Sequence, residues 1–324
     1  MSKRPGTIPG IMLLAILLFP PLFAAAPGYI GLSDIADDLD LDFEWTEADR
    51  EARLSRGWVR LDFKASSRIM ELNGVKVFLG DPIIFSEGHL YLSVDDWKYS
   101  IQPILMPRVF PDPPGYRRVV IDAGHGGVDP GGQNQRFGLD EKDFALAVSR
   151  SVAQRLKEEG FEVRLTRAGD QFIELEERTV IANQAKADIF LSIHFNAARE
   201  SVRGVETFIY TLQNDPSSAR SSLDPVDRPK YPANANDPWN ALLGYYLQSE
   251  ILGTTRLPDR GLKRARFTVL EGLNSPGALL ELGFISNNQT ALLLKKSEYR
   301  ARLSEAVVNA VLKYRRALVR IRNE

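Results

Sequence analysis

The alternation of apolar and polar positions changes its period once along the chain, near residue 110. Before that point the period is two. Trp58–Phe63 sets Trp58, Arg60 and Asp62 against Val59, Leu61 and Phe63, which predicts a strand with one apolar face. Ile69–Leu79, Pro82–Phe85 and Leu90–Val94 have the same character. Asn73-Gly74 splits the first of these into a hairpin, and Glu87-Gly88 signals a turn before the last. Residues 55–105 therefore read as a small β-rich module. The stretch Leu32–Glu51 ahead of it is dense in Asp and Glu and reads as a solvated face or a linker. Together they make an accessory region over 27–106. Pro107, Pro111, Pro113, Pro114 and Gly115 follow, a spacing that no helix or central strand tolerates, so 107–115 is expected to be a semi-rigid linker.

Beyond the linker, strand and helix patterns alternate. Arg118–Ala123, Phe161–Thr166, Ile189–His194, Val205–Tyr210 and Ala278–Leu282 read as strands. Glu141–Glu159 repeats its apolar residues at helical spacing (Phe144, Ala147, Val148, Val152, Leu156) and stops at Gly160. Leu175–Ala187, Asn240–Leu252 and Ser297–Arg320 also read as helices. Repeated β–α units predict an α/β domain over 116–318: a largely parallel twisted sheet with helices on both faces, preceded by the small β-rich domain. Leu212–Pro238 interrupts this order with Asn, Asp, Pro and Ser and few apolar anchors. It follows the strand after the one carrying His194, and is expected to be a mobile cover near the site.

Composition narrows the chemistry. The 324 residues allow about two domains. A hydrophobic share of 44% with 26% charged residues belongs to a globular chain rather than a disordered one. The net charge of −1 offers no electrostatic footprint for nucleic acid, and no such partner is expected. The absence of cysteine removes disulfides, thiol nucleophiles and a lipid anchor on cysteine. Lys3 and Arg4, the apolar run Ile11–Phe23 and Ala24–Ala26 have the layout of a secretory signal over 1–26. The run is shorter than a membrane span and is broken by Pro20-Pro21, so an exported protein with no stable span after cleavage is expected, in the periplasm, the envelope or the medium.

Imidazole chemistry has three candidates: His89, His125 and His194. His89 lies in a turn with only Glu87 near and reads as structural. The other two stand where strands end, at Ile121-Asp-Ala-Gly-His125-Gly-Gly and Ile189-Phe-Leu-Ser-Ile-His194-Phe-Asn196, where open α/β sheets bind ligands. A third strand, Ala278-Leu-Leu-Glu281-Leu-Gly283, carries a carboxylate among apolar residues, which is costly unless paired or metal-linked. Two histidines and a carboxylate make a catalytic zinc set. Glu141, sixteen residues after His125 at the start of a helix, is the best third ligand, leaving Glu281 as general base. Other chemistries fail on named residues. Gln133-Asn134 stands where a P-loop needs Lys-Ser/Thr, Asp129 stands where a dinucleotide fingerprint needs its third glycine, and Gly-x-Ser-x-Gly is absent.

These segments resemble a known family. Asp122-Ala-Gly-His125-Gly-Gly-Val-Asp129-Pro-Gly, Glu141-Lys-Asp143, Leu165-Thr-Arg167 and Arg178-Thr-Val-Ile-Ala-Asn183 are similar to the zinc N-acetylmuramoyl-L-alanine amidases of the cell-wall amidase 3 family. So are Ala187-Asp-Ile-Phe-Leu-Ser-Ile-His194-Phe-Asn196-Ala and Leu280-Glu281-Leu-Gly-Phe284-Ile-Ser-Asn287. The resemblance implies Zn2+ on His125, Glu141 and His194, with Glu281 catalytic, and hydrolysis of the amide between the muramic lactyl group and L-alanine in peptidoglycan. It also leaves room for a protein activator. Asn196 and Arg178, in the same motifs, are expected to face substrate. Phe195 stands where the family often has alanine and is expected to narrow the groove. Asn73–Phe78 with His89–Trp97 resembles the copper amine oxidase N-terminal-like domain, which implies an accessory β domain and not copper. With the linker between them, that module is expected to be dispensable for chemistry. The alternatives are an inactive wall-binding or activator protein, or another zinc hydrolase such as a peptidase or deacetylase.

Overall fold

The computed structural model describes residues 27–323; the signal reading over 1–26 lies outside the described residues. The acidic stretch is not a linker. It forms helix α1 (Leu32–Asp38) and strand β1 (Asp42–Glu47). Leu32, Ile35 and Ala36 share one side of α1 and are buried, while most of the acidic side chains face solvent, so only the solvated-face part of the reading survives. Strands β2 (Glu51–Arg56), β3 (Val59–Lys64), β4 (Ile69–Leu72) and β5 (Val75–Phe78) complete a meander. The β4–β5 hairpin turns on Asn73 (φ 50°) and Gly74 (φ 79°), the left-handed pair that a two-residue hairpin turn requires. Tyr29–Gly31, Ile84–Ser86 and His89–Ser93 form a separate small sheet, with His89 exposed at the start of its central strand.

The second part holds β6 (Arg118–Ala123), β7 (Glu162–Leu165), β8 (Ile189–Asn196), β9 (Val205–Ile209), β10 (Asp259–Arg264) and β11 (Gly277–Phe284). Its helices include α2 (Glu141–Glu158), α3 (Leu175–Gln184), α4 (Asp237–Thr255) and α5 (Ser297–Asn323). Helix α5 buries Leu303, Ala306, Val307, Ala310, Val311, Tyr314 and Leu318, spaced by three and four residues, and packs on α2 and α4. Each such leucine or valine side chain contributes about 1.5–3 kcal/mol when fully buried. α2 and α4 cover one face of the sheet, while α3 and the turn Thr268–Glu271 close a smaller core with Phe190 and Leu279 on the other.

All eleven of these strands form one sheet, in the order β7-β6-β8-β11-β9-β10-β5-β4-β3-β2-β1. The expected boundary at 107–115 therefore does not separate two bodies. β5 joins β10 in parallel at Val77 and Leu262, the Lys76 amide donates to Asp259, and one continuous core spans both parts. The proline segment is laid onto this body, with the Phe110 ring edge-on to Trp239 at 6.3 Å and Arg322 donating to the carbonyls of Pro113 and Pro114. Strand β10 shows no period-two alternation because four of the six residues of Asp-Arg-Gly-Leu-Lys-Arg are charged and only Leu262 is apolar in side chain.

Strand direction corrects a second expectation. β7, β6, β8 and β11 are parallel, but β9 runs antiparallel to β11. The chain leaving β9 therefore emerges at the end opposite to the carboxyl ends of β6, β8 and β11. The segment 212–238 is consequently not a cover over the strand-end histidines. It folds at the far end around polar contacts: buried Asp227 pairs with Arg220 and Arg266, and Asn234 donates to the Thr211 carbonyl.

Candidate active site

Three strand ends and one helix start build the site. After β6 the chain turns through Gly124, His125 and Gly126. His125 takes φ 59°, a left-handed conformation that costs a non-glycine residue roughly 1–3 kcal/mol and is found where a side chain must be aimed. Two buried arginines hold that turn. Arg178 donates to Asp122, to the carbonyls of Ala123 and His125, and to the Ile173 carbonyl. Arg167 donates to the carbonyls of Ala123, Gly124, Lys142 and Gly169. Arg178 is 2% exposed with every guanidinium nitrogen engaged, so it braces the His125 turn and does not face substrate as expected. Glycine is required at Gly124, where a Cβ would lie 2.3–2.6 Å from the His194 ring.

His194 and Glu281 are register partners on parallel strands, and Glu281 is paired in turn with Glu206 on β9, so all three side chains leave one face of the sheet. Glu141, the first residue of α2, points its Oε1 at both imidazoles. It lies 3.0 Å from His125 Nε2 and 2.9 Å from His194 Nδ1, and the two ring nitrogens are 3.2 Å apart. Glu141 Oε1 also accepts from the Phe195 amide, and its Oε2 from the Gly132 amide. His125 Nδ1 meets Asp129 Oδ2 at 2.7 Å, which keeps a proton on Nδ1 and turns the Nε2 lone pair into the site.

Electrostatics follow from these contacts. Burial opposes a charge on Glu141, yet hydrogen bonds from His125 and His194 hold its pKa well below the usual carboxylate range. Burial also disfavours protonated His125, but the Glu141 and Asp129 carboxylates more than offset this and its pKa is raised. Glu281 is pushed strongly upward, first by burial and then by the charges of Glu141 and Glu206. Its Oε2 is buried without a hydrogen-bond partner among the described residues. Three donor atoms from His125, Glu141 and His194 within 4.8 Å of one another, with an orphaned carboxylate oxygen close by, fit a divalent cation. Its charge would satisfy the facing lone pairs and offset the carboxylate repulsion.

The site supports a family assignment. The sequence profile described as N-acetylmuramoyl-L-alanine amidase matches residues 119–313. This chain belongs to that amidase family. The Escherichia coli amidase AmiA is 30% identical over 223 residues, covering 62% of this chain and 76% of AmiA. The amidase AmiC2 of Nostoc punctiforme superposes with a TM-score of 0.52 at 31% identity, over 63% of this chain and 99% of that one. An amidase from Clostridium difficile 630 superposes at 0.51 with 28% identity, over 61% and 96% of the two chains. The protein is accordingly an N-acetylmuramoyl-L-alanine amidase that hydrolyses an amide of peptidoglycan.

The remaining site expectations divide. Asn196 sits at the strand end, but its amide nitrogen donates to Glu206 at 2.7 Å and its oxygen accepts from the Ala197 amide. Phe195 does not narrow the groove. It points to the other face, fully buried against Phe144 at 6.2 Å. Sequence reasoning missed Asp129, Arg167 and Glu206. Glu206 carries the very signal that singled out Glu281, a carboxylate inside an apolar strand (Val205-Glu-Thr-Phe-Ile), and it is buried with Lys263 and Arg260 on its Oε2. Asp129 and Arg167 stand in the motifs that carry the resemblance, but a turn aspartate and a loop arginine show no role until their partners fold around them.

Proposed function

We propose that this amidase works as an exported zinc enzyme in the cell envelope, with His125, Glu141 and His194 holding the ion and Glu281 acting as general base and proton shuttle. The observation that carries this reading is the meeting of His125 Nε2, His194 Nδ1 and Glu141 Oε1 beside the unpartnered Glu281 Oε2. Zinc held by such a set polarises a carbonyl and makes water acidic near neutral pH. The chain's own residues do the rest. Asp129 and Arg178 fix the His125 ring and turn. Glu281, whose buried Oε2 has no hydrogen-bond partner among the described residues, takes the proton of the attacking water and delivers it to the departing L-alanine nitrogen, so that the lactyl carboxylate and a free amine result.

The export part of the proposal rests on the 1–26 signal pattern and on the family's wall substrate; among the described residues no helix is long and apolar enough to cross a membrane. The amidase CwlD of Clostridioides difficile, 26% identical with a TM-score of 0.51, has been solved in complex with the GerS lipoprotein, and an accessory protein partner is proposed here by analogy. The test is product analysis on purified peptidoglycan with metal content measured on the same sample. Stem peptides with a free L-alanine amine, lost on chelation and restored by Zn2+, are the expected result. Cleavage within the stem, release of acetate or chelator-resistant activity would overturn it.

A further inference from the structure

The row of side chains that begins at the candidate metal ligands does not stop at Glu281. Across the same face of the sheet it continues through Glu206 on β9 to Arg260 and Lys263 on β10. Two cations share one carboxylate there. Lys263 is mostly buried, held on Glu206 Oε2 and lying over the Phe78 and Phe208 rings. Arg260 is placed differently. Its Nε donates to Glu206 at 3.1 Å and its guanidinium lies over Phe284 at 5.0 Å, on the strand that carries Glu281. Its side chain is 37% exposed, and among the described residues neither terminal nitrogen has a hydrogen-bond partner. Gly204 lets the chain pass beneath it, because a Cβ there would lie 2.6–2.7 Å from the Arg260 side chain. The outcome is a guanidinium fixed by one nitrogen and an aromatic ring, with its two terminal nitrogens unengaged and the charges of Lys263 and Glu206 behind it offsetting each other. That is the geometry suited to bidentate capture of a carboxylate.

Distance sets which carboxylate. β10 lies three strand spacings from the His194 strand, about 14 Å at roughly 4.8 Å per strand. An extended peptide covers that in about four residues at roughly 3.5 Å each. We propose that Arg260 is a specificity residue that binds a free carboxylate on the third or fourth residue of the peptidoglycan stem peptide, so that stems amidated there are poorer substrates. This rests on the amidase reading of the site.

The experiment uses the full zinc-loaded chain and two four-residue stem peptides with a diamino acid third, one with the carboxylates of residues three and four free and one with them amidated. Binding of the released peptides is measured by titration calorimetry, and turnover of the matching muropeptides by release of L-alanine amine. The parent is expected to favour the free acid in both readouts, and Arg260→Met to reduce that preference about tenfold, chiefly through KM. Arg260→Lys should recover part of it. Zinc content and Tm are measured for each variant to confirm folding. A parent without preference in binding, or an Arg260→Met variant that weakens both peptides equally, overturns the proposal. Wall turnover with the wrong products would instead overturn the amidase reading, and the calorimetric preference would still decide the role of Arg260.

Discussion

The two ends of the central sheet both bury charge, and they settle it in opposite ways. At the far end Arg264 is buried beneath the 212–238 segment and donates to the carbonyls of Tyr210 and Tyr99 and to the Ser100 hydroxyl. Asp96, Asp215 and Asp237 surround it, and burial pushes their pKa values up to about 6, 7 and 7. There the chain supplies both signs of charge, and the buried Asp227 of the same segment is ion-paired with Arg220 and Arg266. At the catalytic end two imidazoles and Glu141 converge beside Glu281, and among the described residues the Glu281 Oε2 is left unpartnered. Buried charge that is paired within the chain is a structural joint, whereas buried charge that lacks its counter-ion is a site for one.

That contrast can be broken most severely by removing the cover of the far end. A chain beginning at Pro114 loses β5 from the edge of β10 and loses Tyr99 and Ser100 from Arg264. It is expected to lose cooperative thermal unfolding and soluble yield; a soluble truncation with a sharp melting transition and bound metal would show that the two ends fold independently. The next effect is catalytic. Glu281→Gln should keep its metal and lower kcat on the order of 10²–10⁴-fold, while Glu141→Ala should lose metal and activity together, as metal analysis and turnover on one muropeptide would report. A fully metallated Glu141→Ala would make Glu281 the third ligand. Asp129→Ala frees the His125 ring, and metal affinity measured by chelator competition should fall about 10–100-fold.

The reverse separation is sought at the far end. Arg266→Met leaves Asp227 with Arg220 as its remaining ion-pair partner, at a cost of about 3 kcal/mol. Calorimetry should show Tm lowered by several degrees, with metal content and kcat within twofold of the parent. A large loss of activity at unchanged Tm would revive the expectation that 212–238 acts as a cover near the site. The smallest effect concerns pH. Glu206 adds to the upward pressure on Glu281, so Glu206→Gln removes a like charge and favours the ionised base. The acid limb of kcat/KM should then move to lower pH, by less than one unit; a shift to higher pH would mean that Glu206 acts mainly by orienting Asn196 and the two cations.

How far the chain could be read in advance depended on whether a signal was local. Glu281 could be found because a carboxylate stands out among leucines, and the β4–β5 hairpin because Asn73-Gly74 names its own turn. The acidic segment misled because charge density hid the Leu32, Ile35 and Ala36 stripe. Arg178 misled because a motif arginine looks like a substrate ligand until Asp122 and three carbonyls are seen to consume its donors. Phe195 misled because one residue along a strand is the opposite face, and its neighbour His194 had already taken the site side.

The α/β class, most strands and helices of the catalytic sheet and the four side chains proposed for the chemistry were determined by the sequence alone, because hydrophobic period, turn residues and strand-end polar residues act over a few positions. Three things were decided only in the tertiary structure. The charged strand β10 joined the β-rich module to the catalytic sheet, because its backbone hydrogen bonds do not depend on an apolar pattern. The reversal of β9 carried 212–238 away from the catalytic end, because strand direction is set by the pairing partner and not by the strand's own residues. And Glu206 with Arg260 came to extend the site, because residues more than fifty positions apart become neighbours only when the sheet closes between them.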